Sequence, residues 1–169
     1  YFRGFPAALR DAPVRTAVDV GANVGYFSLF LLSRFPDARV WAYEPMPANF
    51  ELLAAYRHEH NDLELFPIQK AVTAPGQQTL TLHYDRSDSF TTSASIYSDP
   101  DQPQALRVKA TSLDEIMETQ QLDSLDFLKL DCEGSEYQLL YQARDEALRR
   151  IGRLAIETHP GPTPRETSS

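Results

Sequence analysis

Three carboxylates fall within the stretch Asp131-Cys-Glu-Gly-Ser-Glu136. Carboxylates this close raise one another's pKa, and can act as a general base, hold a divalent cation or face a cationic ligand. Gly134 permits a sharp turn before a helix beginning at Ser135, and Glu136 has the alternative use of a favourable charge in that helix's first turn. Cys132 reads as a packing residue, because no positive neighbour is evident to lower its pKa. A second acid-base pair lies in Glu157-Thr-His159. Residues two apart in an extended segment project to the same side, so Glu157 and His159 form a base dyad, a pair of cation ligands, or the solvated decoration of a strand end.

The third candidate is the loop Asp19-Val-Gly-Ala-Asn-Val-Gly25. Gly21 and Gly25 let backbone approach a ligand without a Cβ clash, and a following helix offers N–H groups to an anion. The dinucleotide pattern G-x-G-x-x-G fails, since the remaining glycine positions after Gly21 hold Asn23 and Tyr26. An acid followed by G-x-N-x-G suits S-adenosylmethionine instead, with Asp19 orienting the loop and receiving the methionine ammonium directly or through water. Glu44 stands at the next strand end, where a carboxylate can accept both ribose hydroxyls. Pro45 and Met46 then lie along the adenine face, and Ala22, Tyr26 and Ala71 complete the set of cofactor-side positions. His58, His60 and His83 show no partner pattern and read as solvated.

The elements that must carry these residues alternate. Thr16-Ala-Val-Asp-Val is a buried strand; Val24, Phe27, Leu31, Leu32 and Phe35 have helical spacing, with Asn23 as cap. Arg39-Val-Trp-Ala-Tyr-Glu is a second strand, and Pro47 opens a second helix. A third strand runs from Leu63 through Ile68 towards Val72, with Pro67 confining it to a sheet edge. Thr79 to Tyr84 alternates as a half-exposed strand, and Asp85 to Arg107 reads as a lid-like loop. Ser112 and Glu115 spell a capping box. Asp126-Phe-Leu-Lys-Leu-Asp is another strand, a helix capped by Ser135 and Gln138 runs to about Arg150, and Arg153-Leu-Ala-Ile-Glu is the last strand.

This order predicts an α/β fold: a doubly wound, mostly parallel Rossmann-like sheet flanked by helices, in one domain over residues 1–159 with an irregular tail at 160–169. Ligands bind beyond the carboxyl ends of such strands, where the residues above collect. Length agrees, since 169 residues make about one domain. The chain opens at Tyr1 rather than Met and reads as trimmed. With 16 Lys plus Arg against 24 Asp plus Glu, the net charge is −8, which disfavours nucleic acid and anionic membrane as partners. The single cysteine excludes an internal disulfide and a cysteine-rich zinc site, in keeping with a cytoplasmic setting. Oligomeric state is open.

Taken together, Val18-Asp-Val-Gly-Ala-Asn-Val-Gly-Tyr-Phe-Ser28, Tyr43-Glu-Pro, Ala71-Val, Thr111-Ser-Leu-Asp114 and Phe127-Leu-Lys-Leu-Asp-Cys-Glu-Gly-Ser-Glu136 resemble the FkbM family of S-adenosylmethionine-dependent methyltransferases. The resemblance spans roughly Thr16 to His159. It implies a class I methyltransferase that methylates a hydroxyl of a small molecule such as a sugar or polyketide-type natural product. It also implies that Gly21, Asn23 and Gly25 form the cofactor loop, that Glu44 is the ribose acid and that Asp131 lies below the transferred methyl. The family's sheet usually ends with two further strands, which this chain is expected to lack. Asp131, Glu133, Glu157 and His159 are the unranked candidates for activating the acceptor, with a divalent metal as a second means. The rival readings are an NAD-dependent oxidoreductase and a catalytically inactive cofactor-binding module.

Overall fold

Strand β1 (Thr16–Val20) is buried at every position from Ala17 to Val20, as a central parallel strand covered on both faces must be. The computed structural model describes residues 13–84, 104–132 and 134–157. In it β1 lies between β2 (Arg39–Tyr43) and β7 (Phe127–Leu130), with β3 (Leu65–Ile68) and β8 (Leu154–Ile156) outermost. The order is β3-β2-β1-β7-β8, and all four pairings are parallel. Pro67 sits in β3, at the expected edge.

Alternation along β1 divides the core between the two faces. Ala17 joins Phe27, Leu31, Leu32 and Leu53, supplied by α1 (Tyr26–Arg34) and α2 (Pro47–Glu59). Val18 and Val20 join Trp41, Leu128 and Leu130 against Leu113 and Ile116 of α3 (Leu113–Thr119) and Leu139 of α4 (Glu136–Gln142). The result is a parallel sheet between two helical layers. β1 is the switch point, because the chain winds outward through β2 and β3 and then returns on its other side as β7.

A second sheet of order β4-β6-β5 is built from β4 (Ala71–Thr73), β5 (Thr79–Tyr84) and β6 (Gln104–Ser112). It modifies two sequence expectations. The third strand does not continue to Val72: it ends at Ile68, the Lys70 N–H turns back to the Ile68 carbonyl at 3.0 Å, and Ala71–Thr73 pairs with β6. Gln104 to Arg107 belong to β6 rather than to the loop, antiparallel to β5, with Leu106, Val108 and Ala110 packed inward around Leu82. The remainder of the lid-like loop, 85–103, lies outside the described residues, as does 158–169.

The helix expected from Ser135 to about Arg150 is two helices, α4 and α5 (Asp145–Arg149). Ala143 and Arg144 are extended between them, and Asp114 of α3 receives the Arg144 side chain at 2.8 Å. That long-range ion pair holds the break, and no local signal marks it. Two expected caps also differ. Gly25, at φ 90°, occupies the N-cap of α1, while the Asn23 side chain accepts the Val24 N–H at 2.8 Å. Ser135 is the N-cap residue of α4, but its hydroxyl donates to the Val72 and Cys132 carbonyls at 3.3 Å. The capping box at Ser112 and Glu115 forms as spelled.

Candidate functional site

Because the five strands are parallel, their carboxyl ends meet at one edge: Gly21, Glu44, Asp131 and Glu157 each follow a strand directly. The Gly21 and Ala22 N–H groups both donate to the Tyr43 carbonyl at 3.0 Å, which folds the loop after β1 across the end of β2. Gly21 has φ 72°, and a Cβ there would stand 1.7 Å from the Asp131 carbonyl oxygen. Only glycine lets these two strand ends approach so closely. Gly25 is similarly constrained, since a Cβ would meet Leu53 Cδ1 at 2.4 Å. Asn23 adopts φ 51°, a conformation that asparagine tolerates better than most residues.

Glu44 fastens this loop to the next. Its Oε2 accepts the Asn23 N–H at 2.8 Å and its Oε1 accepts the Met46 N–H at 2.9 Å. The carboxylate is buried, and burial pushes its pKa up to about 7, against the opposing hydrogen bonds of Met46, Asn23 and Asn49. With the Asn49 side chain donating as well, three of the four lone pairs are engaged and the carboxylate keeps room for one further donor. Of the positions expected beside a purine, Pro45 is half-buried. Met46 is packed with Ala71, Leu82, Val108 and Ala110 in the core of the second sheet. Ala22 is buried in the α1 face of the core, and Tyr26 is exposed.

Asp19 does not open onto this edge. It is fully buried, with the Ser28 hydroxyl donating to its Oδ2 at 2.7 Å and Lys129 Nζ 3.2 Å from its Oδ1. Direct receipt of a ligand's ammonium is therefore not the role its placement suits; it supports the loop from below. Lys129 is the residue the sequence reading passed over. Its ammonium donates to the Gly21 carbonyl at 2.9 Å and pairs with Asp131 Oδ2 at 3.3 Å as well as with Asp19. The available signal was a lysine inside the apolar run Phe127-Leu-Lys-Leu130 of a central strand, since a charge placed there must find partners. The paired carboxylates hold its pKa up against the opposing effect of burial.

Around Asp131 the turn is held from behind. Glu136 is buried, and its carboxylate accepts the Cys132 N–H at 2.9 Å and the Gly134 N–H at 3.0 Å. Glu136 is thus committed to the turn. Burial, with the Glu136 carboxylate adding to it, pushes the Cys132 thiol far up, so a thiolate nucleophile is disfavoured there. Glu157 is exposed and its N–H donates to the Leu130 carbonyl at 2.9 Å, which sets it beside the end of β7. Glu133 and His159 lie outside the described residues. Among the described residues no group of three or more His, Cys, Asp and Glu side chains is arranged to hold a metal ion.

The strand ends thus present Glu44, with one acceptor position left, and the Asp131 carboxylate, paired with Lys129, on either side of the glycine loop. A family model described as the methyltransferase FkbM domain matches residues 19–168. The hexuronic acid methyltransferase AglP of Haloferax volcanii is 27% identical over 89% of this chain and 58% of its own length. The 31-O-demethyl-FK506 methyltransferase FkbM of Streptomyces tacrolimicus is 23% identical over 87% of this chain and 66% of its own. The chain spans from 8% to 66% of the length of the curated relatives it matches. A crystal structure of a methyltransferase FkbM from Methylobacillus flagellatus covers 88% of this chain and 33% of its own, with a TM-score of 0.55 and 20% identity, and shares the fold.

Proposed function

The chain belongs to the FkbM methyltransferase family, and from that premise we propose that it transfers a methyl group from S-adenosylmethionine to a hydroxyl of a small molecule such as a sugar or polyketide-type natural product. The observation that carries the reading is the family match, which begins at Asp19, the acid heading the glycine loop, and continues through the Asp131 turn. Support for oxygen as the acceptor comes from the name of the FK506 methyltransferase, and support for a sugar from that of the hexuronic acid enzyme.

The residues present fit this cofactor. Glu44, with one acceptor position left beside Asn23, Met46 and Asn49, would accept a ribose hydroxyl, and Pro45 would flank the base. The Gly21–Gly25 loop would line the methionine portion, and Asp131 would face the charged centre. Bound there, a sulfonium supplies a methyl group already activated for displacement. The protein's part is then to align the acceptor, exclude water and remove the hydroxyl proton. Asp131, Glu133, Glu157 and His159 are the groups assigned to that proton, and a divalent metal on the same carboxylates is the other means. We place the activity in the cytoplasm. The lone free thiol, Cys132, supports this, and among the described residues no helix is long and apolar enough to cross a membrane.

Calorimetric titration with S-adenosylmethionine, S-adenosylhomocysteine and NAD tests the reading, followed by methyl transfer to a panel of hydroxylated acceptors. Binding of the first two and turnover are expected. Failure of both to bind overturns the reading, and binding with no turnover on any acceptor assigns the domain to the inactive module instead.

A further inference from the structure

The ammonium of Lys129 is shared among three oxygens from two strand ends: the Gly21 carbonyl at 2.9 Å, Asp19 Oδ1 at 3.2 Å and Asp131 Oδ2 at 3.3 Å. The Gly21 carbonyl takes one N–H as a hydrogen bond, and the two carboxylates are held as ion pairs. Asp19 and Lys129 are register partners on adjacent strands, and side chains of register partners in a parallel pair lie side by side on the same face. That face is covered by α1, whose Phe27 ring lies 5.9 Å from the ammonium and whose Ser28 hydroxyl takes the other oxygen of Asp19. Lys129 and Asp19 are both enclosed, the former 8% and the latter 0% exposed.

We propose that Lys129 is the positioning residue of the cofactor site: its ammonium clamps the Gly21 carbonyl of the glycine loop to the Asp19 and Asp131 carboxylates and so fixes that loop against the Asp131 turn. The inference deepens the S-adenosylmethionine reading and rests on it for the identity of the ligand. The argument is geometric. Gly21 has no side chain to anchor it, and its backbone is pressed against the Asp131 carbonyl. Its own N–H is directed the other way, to Tyr43 of β2. A carbonyl at that point needs a donor from the β7 side, and Lys129 provides it. The same ammonium balances two carboxylates that would otherwise repel each other beneath the loop. Other titratable groups facing this cluster are Glu44, whose carboxylate feels the Asp19 charge from the β2 side, and Cys132 and Glu136 on the turn after Asp131.

The test compares Lys129→Met with the unaltered chain in two assays. Hydrogen exchange in the cofactor-free protein should show the amides of residues 21–25 exchanging about tenfold faster or more in the variant, with β2 and β3 unchanged. Calorimetry with S-adenosylhomocysteine should show affinity falling by about tenfold to a hundredfold, the range expected when one hydrogen bond from a charged donor is lost. Lys129→Gln, whose amide still donates one hydrogen bond, should recover part of both losses, which a packing defect common to the two uncharged side chains would not allow. Unchanged exchange in a folded Lys129→Met, or no recovery in Lys129→Gln, overturns the proposal. Where the methionine variant does not fold, Lys129→Gln is compared with the unaltered chain in the same two assays, and faster loop exchange is again expected. If the unaltered chain binds no S-adenosylhomocysteine, the methyl-donor reading falls, and loop exchange alone decides whether Lys129 holds the loop.

Discussion

The Glu44 carboxylate and the Asn23 N–H are joined at 2.8 Å across the gap between β1 and β2, so the glycine loop and the candidate ribose acid form one hydrogen-bonded unit. With the Met46 N–H on its other oxygen, Glu44 ties two strand-end loops together from a buried position. Removal of its charge therefore affects both the frame of the site and the ligand it would hold. Glu44→Ala should weaken S-adenosylhomocysteine binding by about a hundredfold, as loss of a charged acceptor would. Calorimetry gives the number, and unchanged affinity refutes the ribose assignment.

Titration of Glu44 gives a second consequence. Its pKa rises from 4.5 in the unfolded chain to about 7 in the folded one, chiefly through burial. The folded state therefore binds the proton more tightly, and the contribution of this group to stability is full below 4.5 and lost as the pH rises through about 7. Urea denaturation of the unaltered chain minus Glu44→Gln, taken at a series of pH values, should fall across that window. A flat or rising difference contradicts it. Hydrogen bonds from ribose favour the ionised form, so cofactor binding near neutral pH should release protons, measurable by calorimetry in buffers of differing ionisation enthalpy.

Two glycines with positive φ provide a matched pair. Gly21→Ala brings a Cβ to 1.7 Å from the Asp131 carbonyl oxygen at φ 72°, whereas Gly76→Ala at φ 84° meets nothing within 4 Å. The second substitution should cost only the backbone penalty, about 1–2 kcal/mol. The first must also separate two strand ends, so a loss several times larger is expected by chemical denaturation, with cofactor binding abolished. Similar losses at the two positions would mean that the β1 loop is not held against Asp131.

The Asp19–Lys129 pair is enclosed, and breaking such a pair from one side costs about 3–5 kcal/mol. Asp19→Ala should cost less than that in denaturant unfolding, because Lys129 keeps Asp131 and the Gly21 carbonyl. A double-mutant cycle with Lys129→Met should still show coupling, because the two groups lie 3.2 Å apart and each single substitution removes the same contact. Additive effects would show that the pair does not act as a unit.

Glu136 offers a structural contrast to Asp131, although both belong to the same acidic stretch. Its carboxylate is spent on the Cys132 and Gly134 N–H groups. Glu136→Gln should lower stability by about 1–3 kcal/mol, because a buried N–H is left with a poor acceptor. Its effect on methyl transfer should follow that loss of stability. A collapse of turnover in a variant of unchanged stability would instead make Glu136 part of the chemistry.

What the chain determines by itself is what neighbouring residues can settle. Strands β1, β2 and β7, the Ser112–Glu115 capping box and the Gly21–Gly25 turn depend on side-chain alternation, on hydrogen bonds within four residues and on the φ freedom of glycine. All of these can be read along the sequence. The break between α4 and α5 was not legible, because the ion pair that holds it comes from Asp114 on another helix. Nor was the burial of Met46, which depends on a second sheet closing over it. Lys129 is the clearest case: its strand was plain, but which residues it would meet depended on β7 returning to lie beside β1. Tertiary structure alone decided that, since the energy of a buried charge is set by the partners that topology brings to it and not by its neighbours in the chain.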